Sequence, residues 1–321
     1  MKFPFEFSTK LIFRLVLPGS VLAAAFAPLV HFAMQAWGFP VKIEYGFPFE
    51  ALAWGWLVIL CDMHIYMLFE GRRYWHGCVR AIFVASEKRR LSDLVAIVEN
   101  GAPTKRDKGE AELDYSYFPV NAGGDPYVEF PTRLGNLLAS FESYPELKYG
   151  LDGVFYWYRL WLVLDKDTRE EIDNAQALAD SAVYLSFALY VSGLLMFAYA
   201  SVDWTVAAYT LLVPDIKLPY VPASGALVLM AALCFIGGFV LYRISLPMHA
   251  VFGELFKSVF DQHRTKLSFD DVVKEVERIR GAPYGRLSTI EQNRVVWRYL
   301  RWHLIRDETL KKSFKVKDWP H

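Results

Sequence analysis

The sequence predicts a mostly α protein with four transmembrane helices and a helical cytoplasmic domain built from the long central loop and the C-terminal tail. Three observations predict it. Of 321 residues, 54% are apolar and only 22% charged, and the apolar ones gather into uncharged runs near the ~20 residues that cross a bilayer. The 35 Lys and Arg are shared very unevenly among the connections. Outside the runs, apolar residues recur at helical spacing.

The runs are 15–37, 51–69, 181–202 and 223–242, and Asp62 is the one charge inside them. Ala25-Phe-Ala27 has the small-residue look of a signal-peptide cleavage site, but Pro28 follows and the run continues to Trp37. The first span therefore reads as retained, and bent at Pro28 where a ladder hydrogen bond is lost. The connections 38–50 and 203–222 hold one basic residue each, Lys42 and Lys217, leaving 33 of the 35 on the other side. The Lys/Arg bias sets orientation, so both termini are expected to be cytoplasmic. Trp37, Tyr45, Trp54, Trp56, Trp204, Tyr209 and Tyr220 fit an outer aromatic belt, and Tyr66, Tyr74, Trp75, Trp157 and Trp161 an inner one. The chain then divides into a first hairpin at 1–71, a cytoplasmic loop domain at 72–176, a second hairpin at 177–245 and a cytoplasmic tail at 246–321.

Residues 72–90 carry six basic residues against Glu87 and are expected to continue the second span along an anionic inner leaflet. Charge, Gly and Pro make 101–126 a loop, with room for one short strand. Leu134, Leu137, Leu138 and Phe141 then follow the i, i+3, i+4, i+7 pattern of an amphipathic helix, capped by Thr132 or Asp125 and ended at Tyr144-Pro145. The run 154–164 is too short to span, and its aromatic content places it in the inner interface or against the bundle. Val251, Phe252, Leu255, Val259 and His263 extend the fourth span's helix toward Leu267, with Pro247 its one expected kink. Ser268 with Asp271, and Ser288 with Glu291, are capping-box pairs for two further helices, the last reaching to about Lys312.

Equal numbers of acidic and basic residues, 35 each, give no global bias toward nucleic acid. Cys61, Cys78 and Cys234 form no C-x-x-C pair and no disulfide framework. No P-loop, dinucleotide fingerprint, G-x-S-x-G or H-E-x-x-H occurs, so no catalytic residue, metal ligand or cofactor is assigned and the chain reads as a non-enzyme.

Asp62 stands out, because a carboxylate in an uncharged span costs ~2.5 kcal/mol or more unless paired, hydrated or protonated. It is either a pore-lining or proton-accepting group, or a bundle-interior partner of Arg14, Arg243 or a neighbouring hydroxyl. His64 lies about 200° round the helix at ~100° per residue, so the two do not share a ligand. His31 reads as an interhelical donor. Arg133, Asn136 and Glu142 form one polar cluster and Asp261, His263 and Arg264 another, expected to dock their two helices by pairing Arg133 or Glu142 with Asp261 or Arg264. Arg72 and Arg73, and Arg294, Arg298 and Arg301 on the last helix, suit a lipid or partner-protein surface; nucleic acid is the least favoured partner.

Two stretches, Phe130-Pro-Thr-Arg-Leu-Gly-Asn136 with its continuation to Pro145, and Phe252 to Arg264 with its Phe260-Asp-Gln-His-Arg264 ending, make the chain similar to an uncharacterised group of bacterial four-span integral membrane proteins. The resemblance implies this threading and a bacterial inner-membrane location, implies no activity, and directs attention to Arg133, Asn136, Glu142, Asp261 and Arg264. Four helices rarely enclose a path alone, and symmetric association is the usual remedy. The expected function is therefore a homo-oligomeric channel-like or membrane-effector protein. A scaffolding or sensing subunit, or a lipid-acting enzyme, are the alternatives.

Overall fold

The computed structural model describes residues 11–39, 43–100, 105–201, 224–281, 283 and 287–302. It is mostly helical, and among the described residues there is no strand, only an isolated antiparallel bridge between Val120 and Pro126. Lys42, Lys217, Trp204, Tyr209 and Tyr220 lie outside the described residues, as does the last helix beyond Trp302. The chain forms two compact units, Met1–Met67 with Asp173–His249, and Leu68–Ile172 with Ala250–His321.

In the first unit a π-helical stretch, Ile12–Val16, leads into α1 (Leu17–Ala36), which carries Pro28 within it. Then come α2 (Ile43–Leu60) and α3 (Asp62–Phe69). Residues of α8 (Lys166–Ser201) and α9 (Ser224–His263) complete the bundle. Among the described residues three helices are long and apolar enough to cross a membrane: Ile12–Ala36, Lys166–Ser201 and Gly225–Lys266. Leu229, Leu233, Ile236 and Phe239 of α9 all face outward, which suits hydrocarbon and would be costly in water.

The expected second span at 51–69 falls on a bent pair of helices, Tyr45–Leu60 and Asp62–Phe69, that meet at 63°. Hydrogen bonds bridge the bend, from Cys61 N to Leu57 O at 3.0 Å and from Ile65 N to Cys61 O at 2.9 Å. The bend gives Asp62 a favourable place, the first turn of α3, where the helix dipole stabilises a negative charge. Glycine lets α1 and α2 touch backbone to backbone. A β-carbon on Gly19 would strike Ala51 O, and one on Gly55 would strike Leu15 O, the close crossing that small residues allow in membranes. Phe26 stacks on Trp54 at 4.3 Å, and Ser186 Oγ donates to Gly238 O at 2.7 Å between α8 and α9.

The second unit holds α4 (Gly77–Asn100), α5 (Lys105–Tyr115), α6 (Arg133–Tyr149), α7 (Gly153–Val163), the 3₁₀ turn Arg264–Lys266 after α9, α10 (Asp270–Arg280) and α11 (Thr289–Trp302). The stripe Leu134, Leu137, Leu138 and Phe141 is buried as the spacing predicts, and Gly135 N donates to Thr132 Oγ1 at 3.0 Å as the cap. Pro145 does not end α6. The stop comes at Gly150, whose φ of 67° closes a Schellman motif through Gly150 N to Glu146 O and Leu151 N to Pro145 O.

Three further corrections follow from local chemistry. Residues 105–115 are helix rather than loop, supported by Arg106–Glu110 and Lys108–Glu112 pairs one turn apart and by Ala111 packing with Leu94 and Phe118. Residues 72–90 do not continue the second span, because a turn holding Gly71 at φ 75° and Tyr74 at φ 69° separates α3 from α4. Ser268 bonds Asp270 at 3.3 Å, and α10 has no side-chain cap. The Ser288–Glu291 box does form, with Ser288 N donating to Glu291 Oε2 at 2.8 Å and Glu291 N to Ser288 Oγ at 3.4 Å.

The core of the second unit is aromatic. Phe141 meets Phe252 and Phe256 at 5.7 and 5.3 Å, and Trp157 lies on Phe256 at 4.6 Å. Gly253 gives Phe141 its room. α11 closes on this core through Asn293 Nδ2 to Tyr149 O at 2.8 Å, and through Trp297 and Arg301, which both donate to Asp152.

Candidate functional site

The densest polar chemistry in the apolar unit is a chain of side chains from four helical segments. Arg14, in the π-helical stretch, donates to Asp180 of α8 and lies 3.6 Å from Asp173, two turns earlier on the same face. Asp180 also accepts from the hydroxyl of Tyr66 on α3. The same hydroxyl lies 3.0 Å from His249 Nε2 on α9. Tyr184, one turn after Asp180, donates to Asp62 at 2.6 Å, and its ring stands edge-on to Tyr66 at 6.4 Å. Asp180, Tyr184 and His249 are 7%, 4% and 2% exposed; bulk water therefore satisfies little of their charge and hydrogen bonding.

Hydrogen counting shows what this arrangement can do. His249 Nδ1 lies 2.7 Å from Ser245 O, and a carbonyl only accepts, so Nδ1 carries the ring's hydrogen in the neutral form. Nε2 is then an acceptor. Tyr66 has one hydrogen and faces two acceptors, Asp180 and His249. One added proton on His249 Nε2 turns all these contacts into hydrogen bonds, with Nε2 donating to Tyr66 and Tyr66 to Asp180. Ionisable groups gathered in this way among apolar helices are candidates for taking up a proton or a cation.

Asp62 is half-buried and accepts from the Tyr184 hydroxyl, one of the partners expected for it, while Arg14, another of them, pairs with Asp180. His31 bonds Gln35 of its own helix at 2.7 Å rather than another helix. His64 is exposed, on a different face from Asp62. Sequence reasoning passed over Asp180, Tyr184, Tyr66 and His249 as site residues. A signal was present, because Asp62 and Tyr66, Asp180 and Tyr184, and Ser245 and His249 are each spaced i, i+4 on one helical face.

In the second unit α6 and the end of α9 do dock, but not through the expected pairs. Glu142 binds Arg72 at 2.7 Å, and Arg72 also pairs with Glu70 and stacks over Phe130 at 4.6 Å. Arg133 lies 3.9 Å from Glu87. Asp261 accepts from Tyr144 at 2.9 Å and Tyr149 at 2.5 Å, with Lys148 at 3.3 Å. Arg264 donates to Asp261 O and covers the Tyr149 ring at 4.2 Å. His263 Nδ1 is buried with no hydrogen-bond partner among the described residues. Asn136 fastens the Phe130–Asn136 motif. Its Oδ1 accepts from Glu129 N at 3.0 Å and Phe130 N at 2.9 Å, and its Nδ2 donates to Phe130 O at 3.0 Å and Glu87 at 3.4 Å.

The proposed surface arginines divide. Arg72 and Arg301 are engaged internally, whereas Arg73 and Arg294 are exposed and Arg298 is half-buried. Arg294 borders an open cleft of about 530 Å³ with Tyr127 and Glu146. Burial, with Asp152 adding and Arg294 opposing, holds the Glu146 carboxyl above its ordinary range. No group of three His, Cys, Asp or Glu among the described residues is placed to hold a metal ion.

No family model, curated protein or solved structure matches the chain.

Proposed function

We propose that this chain is a four-segment integral membrane protein of the bacterial inner membrane, with both termini cytoplasmic, working as a homo-oligomer of the channel-like or membrane-effector type. The bent pair α2–α3 counts as the fourth segment. The second unit is its cytoplasmic part, serving assembly or gating, and the Arg14–Asp180–Tyr66–His249 and Tyr184–Asp62 cluster is its cation- or proton-responsive element. The observation that carries this is the set of ionisable and hydroxyl side chains, Arg14, Asp180, Tyr66, His249, Tyr184 and Asp62, bonded to one another inside an apolar bundle. Ionisable groups kept at such cost in membrane helices mark ion and proton pathways by default.

Asp62→Asn tests it. The amide oxygen can still accept from Tyr184, so folding should change by about 1 kcal/mol or less. A carboxylate charge ~10 Å from a passing cation, at an effective dielectric of ~20, is worth ~1.5 kcal/mol, so cation or proton flux into vesicles should fall roughly tenfold. Unchanged flux per folded molecule removes Asp62 from the pathway.

One observation favours a second reading, a scaffolding or sensing subunit: Asp62 already has a protein partner in Tyr184. If purified wild-type protein in vesicles passes no ion or proton at any potential, the scaffold reading replaces the channel.

A further inference from the structure

The turn at 70–76 and the first half of α4 present a surface that the cluster in the bundle leaves unexplained. Neighbouring arginines in the turn are parted. Arg72 is drawn inward to Glu70 and Glu142, while Arg73 and Tyr74 point out, Tyr74 being 61% exposed. Tyr74 adopts φ 69°, which is rare and unfavourable for a bulky residue. The fold thus holds an aromatic ring outward at a backbone cost. Trp75 Nε1 donates to Leu68 O at 2.8 Å, which ties this surface to the last turn of α3. Phe83 packs edge-on against Trp75 at 5.0 Å.

From there the first half of α4 exposes Val79, Ile82 and Phe83, Ile82 at 68% exposure, whereas farther along the helix Glu87 and Leu94 are buried. The charges around these exposed residues are of one sign. Arg73, Lys88 and Arg89 are exposed and Arg80 half-exposed. The one acid between 72 and 90, Glu87, is buried against Arg90 and Asn136. An outward face that is aromatic and aliphatic, rimmed by cations and hydrogen-bonded to the end of a membrane segment, matches the headgroup layer of an anionic bilayer.

We propose that the turn at 70–76 and the N-terminal half of α4 lie in that layer and bind anionic phospholipid headgroups through Arg73, Arg80 and Arg89, with Tyr74, Ile82 and Phe83 inserted among the acyl-chain ends. This rests on the reading of α2–α3 as a membrane segment. The experiment uses the full chain with Cys61, Cys78 and Cys234 replaced, carrying a single bimane-labelled cysteine at Ile82, Leu233 or Glu110. The protein is placed in nanodiscs of phosphatidylcholine with or without phosphatidylglycerol. Leu233 reports the lipid-facing side of α9, and Glu110 the water.

With phosphatidylglycerol present, the Ile82 label should be quenched by headgroup-region nitroxide lipid and shielded from iodide. Arg73→Gln and Arg89→Gln, which disturb no ion pair described above, should each raise the share of anionic lipid needed for that shielding by about fivefold at low salt. Iodide quenching at Ile82 equal to that at Glu110, while Leu233 stays lipid-quenched, overturns the proposal and leaves the membrane reading standing. Shielding of Ile82 that persists in detergent, indifferent to lipid charge, also overturns it and assigns the face to a protein partner. A Leu233 label that iodide reaches and lipid does not would bring down the membrane reading, and this proposal with it.

Discussion

Replacing Asp180 with Asn should cost about 3 kcal/mol of folding stability, nearly all of it electrostatic. Hydrogen bonding can be rebuilt after the change. The new amide can turn its oxygen to Arg14 and its NH₂ to Tyr66, whose own hydrogen then goes to His249 Nε2 at the 3.0 Å already present. What cannot be rebuilt is the charge. Among the described residues Arg14, with a side chain 24% exposed, keeps only Asp173 at 3.6 Å, itself 37% exposed. Removing one partner of a buried pair costs ~3–5 kcal/mol, and a half-exposed second carboxylate offsets part of that, on the order of 0.5–1 kcal/mol. The assay is reversible unfolding in mixed micelles, followed by tryptophan fluorescence. Asp173→Asn alone should cost less than about 1 kcal/mol, yet more in the Asp180→Asn background than in the wild type, because there it is the remaining counter-charge. Replacing Arg14 and Asp180 together with Met and Leu should recover most of the loss, since an apolar pair of similar volume pays no desolvation. If Asp180→Asn unfolds within 0.5 kcal/mol of wild type, the pair is solvated and the electrostatic account of the cluster is wrong.

Asn136→Ala should destabilise the protein by about 3 kcal/mol, because Asn136 is itself buried and its loss strips partners from Glu129 N, Phe130 N and Phe130 O in a part-buried turn, each worth ~1 kcal/mol; unfolding in the same micelles checks this, and a loss under ~1 kcal/mol refutes it. Glu291 is held below its ordinary pKa by the Ser288 backbone N–H, with the Ser288 hydroxyl adding to it. A depressed carboxylate stabilises above its unfolded value and loses that contribution as pH falls through the folded one. A spin label at Gln292 should therefore gain mobility only below the ordinary glutamate range, and Glu291→Gln should abolish that transition; mobility indifferent to pH in the wild type would exclude the cap.

Much of the helical skeleton was legible because its causes are local. The burial of Leu134, Leu137, Leu138 and Phe141, the Thr132 cap, the Ser288–Glu291 box and the continuation of the fourth apolar helix to His263 depend on residues within a turn or two of each other. Local signals also misled where two competed. Pro145 looked like a stop, but a helix tolerates one missing hydrogen bond, and the left-handed Gly150 is the stronger terminator. The charge of 105–115 suggested loop, yet charges spaced one turn apart with Ala111 facing in make a helix.

By itself, the sequence determined where apolar runs are long enough for a membrane, how basic residues are distributed between their ends, and that Asp62 is out of place in its run. Only the tertiary structure decided what Asp62 meets. Its partner Tyr184 is 122 residues away, and Arg14 reaches Asp180 across 166. A side chain's choice among several possible counter-charges depends on helix rotation and on bends such as the one of 63° at Cys61. Helical periodicity places a residue on a face of its own helix and carries no information about which face of another helix lies opposite.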